Sequence, residues 1–113
     1  MQIFKTMITG GPSIYYDPAF RNMIEDHMTW LRGRSGNTIV DVEPMVAYKY
    51  AGDFFGLLMH FNILPQYHWI TMRMNQYVSP QDYSDEMLSF VTPSGEDCER
   101  LRAVFMSQTK MRK

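Results

Sequence analysis

Three histidines, one cysteine and a few clustered carboxylates are the side chains of this 113-residue sequence that could carry chemistry. His27 follows Glu25 and Asp26, a grouping that would suit a metal ion. Consecutive residues of a helix point in different directions, so these three cannot converge on one ion. The position predicts a helix-face histidine bonded to its own surroundings. His60 and His68 stand on either side of Pro65 with no carboxylate at ligand spacing, which points to packing beside aromatics or interfacial hydrogen bonding. Cys98 lies between Asp97 and Glu99, whose charges disfavour a thiolate and make it a poor nucleophile. As the sole cysteine it also excludes a disulfide framework and a cysteine-based zinc site. Asp82, Asp85 and Glu86 lack the alternating oxygen ligands and central glycine of a calcium loop. Gly10-Gly11-Pro12-Ser13 lacks the length and the Lys-Ser/Thr pair of a phosphate loop. The sequence therefore predicts no catalytic residue, no metal ligand and no cofactor.

The elements that would position these side chains follow from punctuation and periodicity. Residues 2–9 read as a strand, closed by the Gly-Gly-Pro-Ser turn. Asp17 and Pro18 start a helix predicted over 18–32, because the carboxylate can take free amides and proline has none to waste. Phe20, Met23, Ile24, His27 and Leu31 share one face of it, and Gly33 stops it. Residues 38–43 alternate Ile39, Asp41 and Glu43 against Val40 and Val42, the period of a half-buried strand. Pro44 opens a helix over 45–51, and Asp53 caps another over 54–62, inside which Gly56 predicts a close backbone contact. Pro65 opens a segment whose Tyr67, Ile70, Met74 and Tyr77 keep helical spacing; Ile70, Met72 and Met74 also alternate as a strand would, but the proline start and the length favour helix. Ser79-Pro80 starts a helical turn through Leu88, and residues 92–95 are a break. Ser94 with Asp97 resembles a capping box for a last helix burying Leu101, Val104 and Phe105, with 110–113 as a frayed basic tail.

The expected fold is mostly α with a small two-stranded β element (α+β), a single domain over 1–113 of four to five short helices. Within it, 1–43 is strand-helix-strand, 44–91 a helical hairpin core and 94–109 the C-terminal helix. Eleven basic against twelve acidic residues leave a net charge of −1, which gives no footprint for nucleic acid or an anionic membrane. The longest apolar stretch, 54–64, falls far short of the ~20 residues that span a bilayer, and residues 1–9 are too short and polar for a signal peptide, so a soluble chain is expected. Eleven methionines and sixteen aromatics are the compositional anomalies. Methionine fills irregular cores and also suits adaptable interfaces, and the composition leaves both open.

The run Pro65-Gln66-Tyr67-His68-Trp69-Ile70-Thr71-Met72-Arg73-Met74-Asn75-Gln76-Tyr77-Val78-Ser79-Pro80-Gln81-Asp82-Tyr83 resembles the core of the small baseplate wedge subunits of contractile-tailed bacteriophages. That family has a helix ending in Tyr-Gly, then a Pro-started helix with aromatics, an apolar run and an Asn, then a Pro-aromatic turn. Ala47-Tyr48-Lys49-Tyr50-Ala51-Gly52 stands for the first helix, Trp69 for the aromatic, Asn75 for the Asn and residues 80–83 for the turn. Residues 53–64, an insertion or else a duplication of the helix, and Arg73 in the apolar run depart from the pattern, which covers about a third of the chain. The resemblance implies a virion structural protein that binds neighbouring tail or baseplate subunits in a multi-subunit complex and does no chemistry.

Tyr15, Tyr16, Tyr48, Tyr50, Tyr67, Trp69, Tyr77 and Tyr83 exceed what a core of this size hides, and they are the predicted partner-binding residues. A cytoplasmic adaptor that blocks a host enzyme would use the same surface, and DNA binding would need basic residues that are here scattered among acids.

Overall fold

The computed structural model describes residues 13–111. The expected strand at 2–9 and the last two residues of the expected tail lie outside the described residues. The fold is a small α+β domain: six α-helices among the described residues, three short 3₁₀ turns and one two-stranded antiparallel sheet.

A 3₁₀ turn (Ser13–Tyr16) leads into α1 (Pro18–Asp26), where the Asp17 carboxylate accepts the Ala19 N–H at 2.8 Å and Pro18 takes the first helical position. Phe20, Met23 and Ile24 are its buried stripe. The single helix expected over 18–32 is broken at His27. There the amide is shared between the Met23 and Ile24 carbonyls, both at 3.1 Å, and the ring Nδ1 meets the Met23 oxygen at 2.9 Å. The tightened turn re-aims α2 (Met28–Arg32) so that Met28 and Leu31 stay buried. Asn37 then donates to the Leu31 and Arg32 carbonyls at 2.8 and 3.3 Å, closing the helix end.

β1 (Thr38–Asp41) pairs with β2 (Ser89–Thr92), Ile39 opposite Val91 and Val40 opposite Phe90. The partner strand thus comes from the last residues of the expected helical hairpin core, 89–91, and from Thr92 of the expected break. A run of only four residues, cut short by Pro93, is too brief for its alternation to stand out. α3 (Pro44–Lys49) and α4 (Phe54–His60) follow, the latter capped by Asp53, whose carboxylate accepts the Gly56 N–H at 3.0 Å. The close contact expected at Gly56 is present, but its partner is the Asp53 carboxylate rather than another backbone: a Cβ there would collide with the cap.

A 3₁₀ turn (Pro65–Tyr67) runs into α5 (His68–Met74), so the segment is helical as its proline start suggests. The helical turn expected from 79 to 88 shrinks to the 3₁₀ turn Pro80–Asp82, because the Asp82 carboxylate takes the amides of Val78 and Ser79 at 2.9 and 3.1 Å. α6 (Gly95–Met111) closes the fold. Ser94 accepts the Asp97 N–H at 3.1 Å, but Asp97 turns its carboxylate to Arg34 at 3.2 Å, so only half of the expected capping box forms.

Two cores result. The first gathers Tyr15, Phe20, Ile24, Leu31, Ile70 and Leu101; the second gathers Ala47, Phe54, Leu57, Leu58, Tyr83 and Phe90. α5 and β2 serve both, with Ile70, Met74 and Val91 toward the first and Met72 and Phe90 toward the second. This two-sided burial is why Ile70, Met72 and Met74 mimic strand alternation. Asn75, which ends α5, latches the helix to the sheet. Its Nδ2 donates to the Val91 carbonyl at 2.8 Å, and its Oδ1 accepts the Val91 N–H at 2.9 Å, the pair of bonds a third strand would make. No helix among the described residues is long and apolar enough to cross a membrane.

Candidate functional site

Of the eight aromatics expected at a docking surface, two are core. Tyr15 is 2% exposed, packs edge-on against Phe20 and Tyr67, and donates to Glu99 Oε2 at 2.6 Å. Tyr83 is equally buried against Phe54 and donates to the Met87 carbonyl at 2.8 Å. Both phenols are spent on internal bonds, which corrects their assignment to a partner surface. Burial pushes the Tyr15 hydroxyl far above the ordinary phenol range, and the bond to Glu99 adds to it. Tyr67, Tyr50 and Tyr77 are half-buried, Tyr67 beside the first core and the other two beside the second. Tyr48 stands open on α3. Methionine is divided between core and surface: Met28, Met72 and Met74 are buried, while Met45 and Met59 are exposed.

The remaining two, Tyr16 and Trp69, are brought to one cleft. The 3₁₀ turn supplies Tyr16, α1 supplies Arg21, α4 supplies Phe55, and the turn-plus-helix over 65–74 supplies Pro65, His68 and Trp69. The cleft holds about 200 Å³. Trp69 packs against both cores and is half-buried, so its ring is held from behind. The Arg21 guanidinium carbon lies 5.0 Å from the Trp69 ring centre and 5.6 Å from that of Tyr16, and its Nε donates to the Tyr15 carbonyl at 3.1 Å. His68 is buried, tilts its ring against Phe55, and donates Nε2–H to the Ile63 carbonyl at 2.8 Å. Burial pulls its pKa below the ordinary histidine value, outweighing that bond, so the ring beside Arg21 is neutral near pH ~7.

Arg21 is the member that sequence reasoning missed. Carboxylates one turn away on each side, Asp17 and Glu25, make it look like an ordinary paired surface cation. Both are engaged elsewhere: Asp17 caps α1 and Glu25 is ion-paired with Arg73. The signal that could have found it is the double demand on those acids, one as an N-cap and one within reach of a second arginine.

A larger groove of about 480 Å³ lies between α2 and α6, lined by His27, Trp30, Arg100, Leu101, Ala103 and Val104. Val104, expected to be buried, is one of its exposed walls. Of the cations around it, Arg34 lies over Trp30 and pairs with Asp97, and Arg100 pairs with Glu96. His60 packs beside Tyr50 and Phe61, and Cys98 is buried with its thiol pushed up to about 12 by burial first and then by Asp97 and Glu99. Among the described residues no group of three histidine, cysteine or acidic side chains is placed to hold a metal ion.

No protein-family model, no curated protein and no solved structure matches the chain.

Proposed function

We propose that this chain is a non-enzymatic virion structural protein, a tail or baseplate assembly component that binds neighbouring virion subunits. The observation that carries a docking role is the cleft of Tyr16, Arg21 and Trp69, where a stacked cation and two aromatic faces meet the surface on a backing of core. The baseplate assignment rests on the likeness of residues 65–83. Its Pro-started helix, closing Asn and Pro-aromatic turn correspond to Pro65 and α5, Asn75, and the Pro80–Asp82 turn followed by Tyr83. In this reading Asn75 has a structural use, holding the helix to the sheet so that Trp69 keeps its place on the same helix.

The test is quantitative mass spectrometry of gradient-purified particles from cells that produce this chain. The chain is expected in tail-containing particles at a fixed ratio to tail subunits. Its presence only in the particle-free lysate would overturn the assignment.

A further inference from the structure

We propose that the Arg21 cleft is a receptor for an acidic side chain, Asp or Glu flanked by apolar residues, presented by a partner protein. The proposal deepens the docking role above, and it survives if the partner is not a virion subunit.

All twelve Asp and Glu residues fall within residues 13–111, and the segments outside that span contain none. The carboxylates within ion-pair distance of a described arginine are Asp97, Glu25, Glu96 and Glu99, and their partners are Arg34, Arg73, Arg100 and Arg102. Arg21 has none. Its single hydrogen bond uses Nε, leaving both terminal nitrogens of the guanidinium without a partner among the described residues. An arginine held half out of water normally recovers its lost hydration through a carboxylate, and the fork of N–H groups matches one bidentately. Here the two flanking rings hold the fork in place in advance, so little side-chain freedom remains to be lost when a carboxylate arrives.

The walls say what surrounds that carboxylate. Phe55, Pro65, Trp69 and Tyr16 present apolar surface, and Leu64 beside them is 52% exposed. His68 is neutral and contributes no competing charge. At about 200 Å³ the cleft lies below the roughly 300–1,000 Å³ of small-molecule sites, and it suits one side chain of a larger partner.

The test is a titration of the isotope-labelled full chain followed by the Arg21 Nε–H and Trp69 Nε1–H resonances. The probes are the blocked tripeptide N-acetyl-Leu-Glu-Leu-amide, its Gln counterpart, and sodium acetate. Saturable shifts at both resonances with the Glu peptide, weakened about tenfold with the Gln peptide and lost in Arg21→Gln, are expected. Arg21→Lys, which keeps the charge but not the fork or the stacking, should fall between. Equal binding of the Glu and Gln peptides would overturn the proposal. So would acetate reproducing the shifts at the same concentration, which would mark a plain anion site, and so would no shift up to the peptide's solubility limit. If Arg21→Gln does not fold, the Glu-against-Gln comparison on the native chain still decides.

Discussion

The Arg21 guanidinium lies 5.0 Å from the centre of the Trp69 ring with no carboxylate among the described residues to share, although Asp17 and Glu25 stand one helical turn away on either side. Asp17 is held by the amide of Ala19 and Glu25 by Arg73, so the helix cannot satisfy its own cation. The consequence is a charge that costs hydration in the free protein and is available to a partner. Such an arrangement contributes specificity more than stability.

Removing that cation should therefore leave the fold nearly intact. Arg21→Gln forfeits two stacking contacts and one hydrogen bond while relieving a desolvated charge, so a loss of about 1 kcal/mol or less is expected in urea denaturation. A loss above about 3 kcal/mol would make Arg21 a structural residue instead.

Asn75 should be far more sensitive. It makes three hydrogen bonds, from Nδ2 to the Thr71 and Val91 carbonyls and from the Val91 amide to Oδ1. Asn75→Ala leaves the edge of β2 unpaired and is expected to cost about 2–3 kcal/mol, with loss of hydrogen-exchange protection at the Val91 amide. Asn75→Asp points a charge at two carbonyls, so its deficit relative to the native chain should shrink as pH falls from about 7 to about 4 and the carboxyl protonates. Unchanged protection at Val91 would contradict the latch.

The two sides of this latch explain what was legible in the sequence. Caps and breaks are local, so Asp17-Pro18, Asp53, Pro65 and Gly33 marked element ends that the structure keeps. Partners are not local. Residues 38–43 read as a strand, but the strand opposite comes from Ser89–Thr92, about fifty residues on, and is recognisable only from the pairing itself. Tyr15 and Tyr83 looked like surplus because aromatic counts do not show that two cores, each built round edge-to-face and tilted rings, absorb them. The cleft was half legible: Tyr16 and Trp69 stood out by type, and Arg21 did not, because its isolation depends on what Glu25 does across 48 residues.

Stability should also depend on pH through His68. Its burial holds the folded-state pKa below the ordinary value of about 6.5, so the neutral ring stabilises the fold above that pH. As pH falls below about 6.5 the unfolded chain takes the proton first, and stability declines until pH passes the folded value. Urea midpoints measured across pH ~5–8 should fall on the acid side, and His68→Gln, which keeps a donor for Ile63, should flatten that fall. An identical slope in the variant would assign the acid sensitivity to another group.

Cys98 should be inert in the native chain. With its thiol raised to about 12 and its side chain wholly buried, alkylation by iodoacetamide at pH ~8 is expected to be more than ~100-fold slower than in urea-unfolded protein. Comparable rates in the two states would show that α6 opens locally at its first turns.

The central claim, that the cleft of Tyr16, Arg21 and Trp69 joins this chain to its neighbours in a tail, is tested most directly by incorporation. Particles would be assembled in cells producing equal amounts of native chain and an Arg21→Glu chain, with folding of the variant checked by circular dichroism. The account predicts that purified tails contain the native chain and at least tenfold less of the variant, because the reversed charge repels the partner's carboxylate. Equal incorporation of a folded Arg21→Glu chain would contradict it.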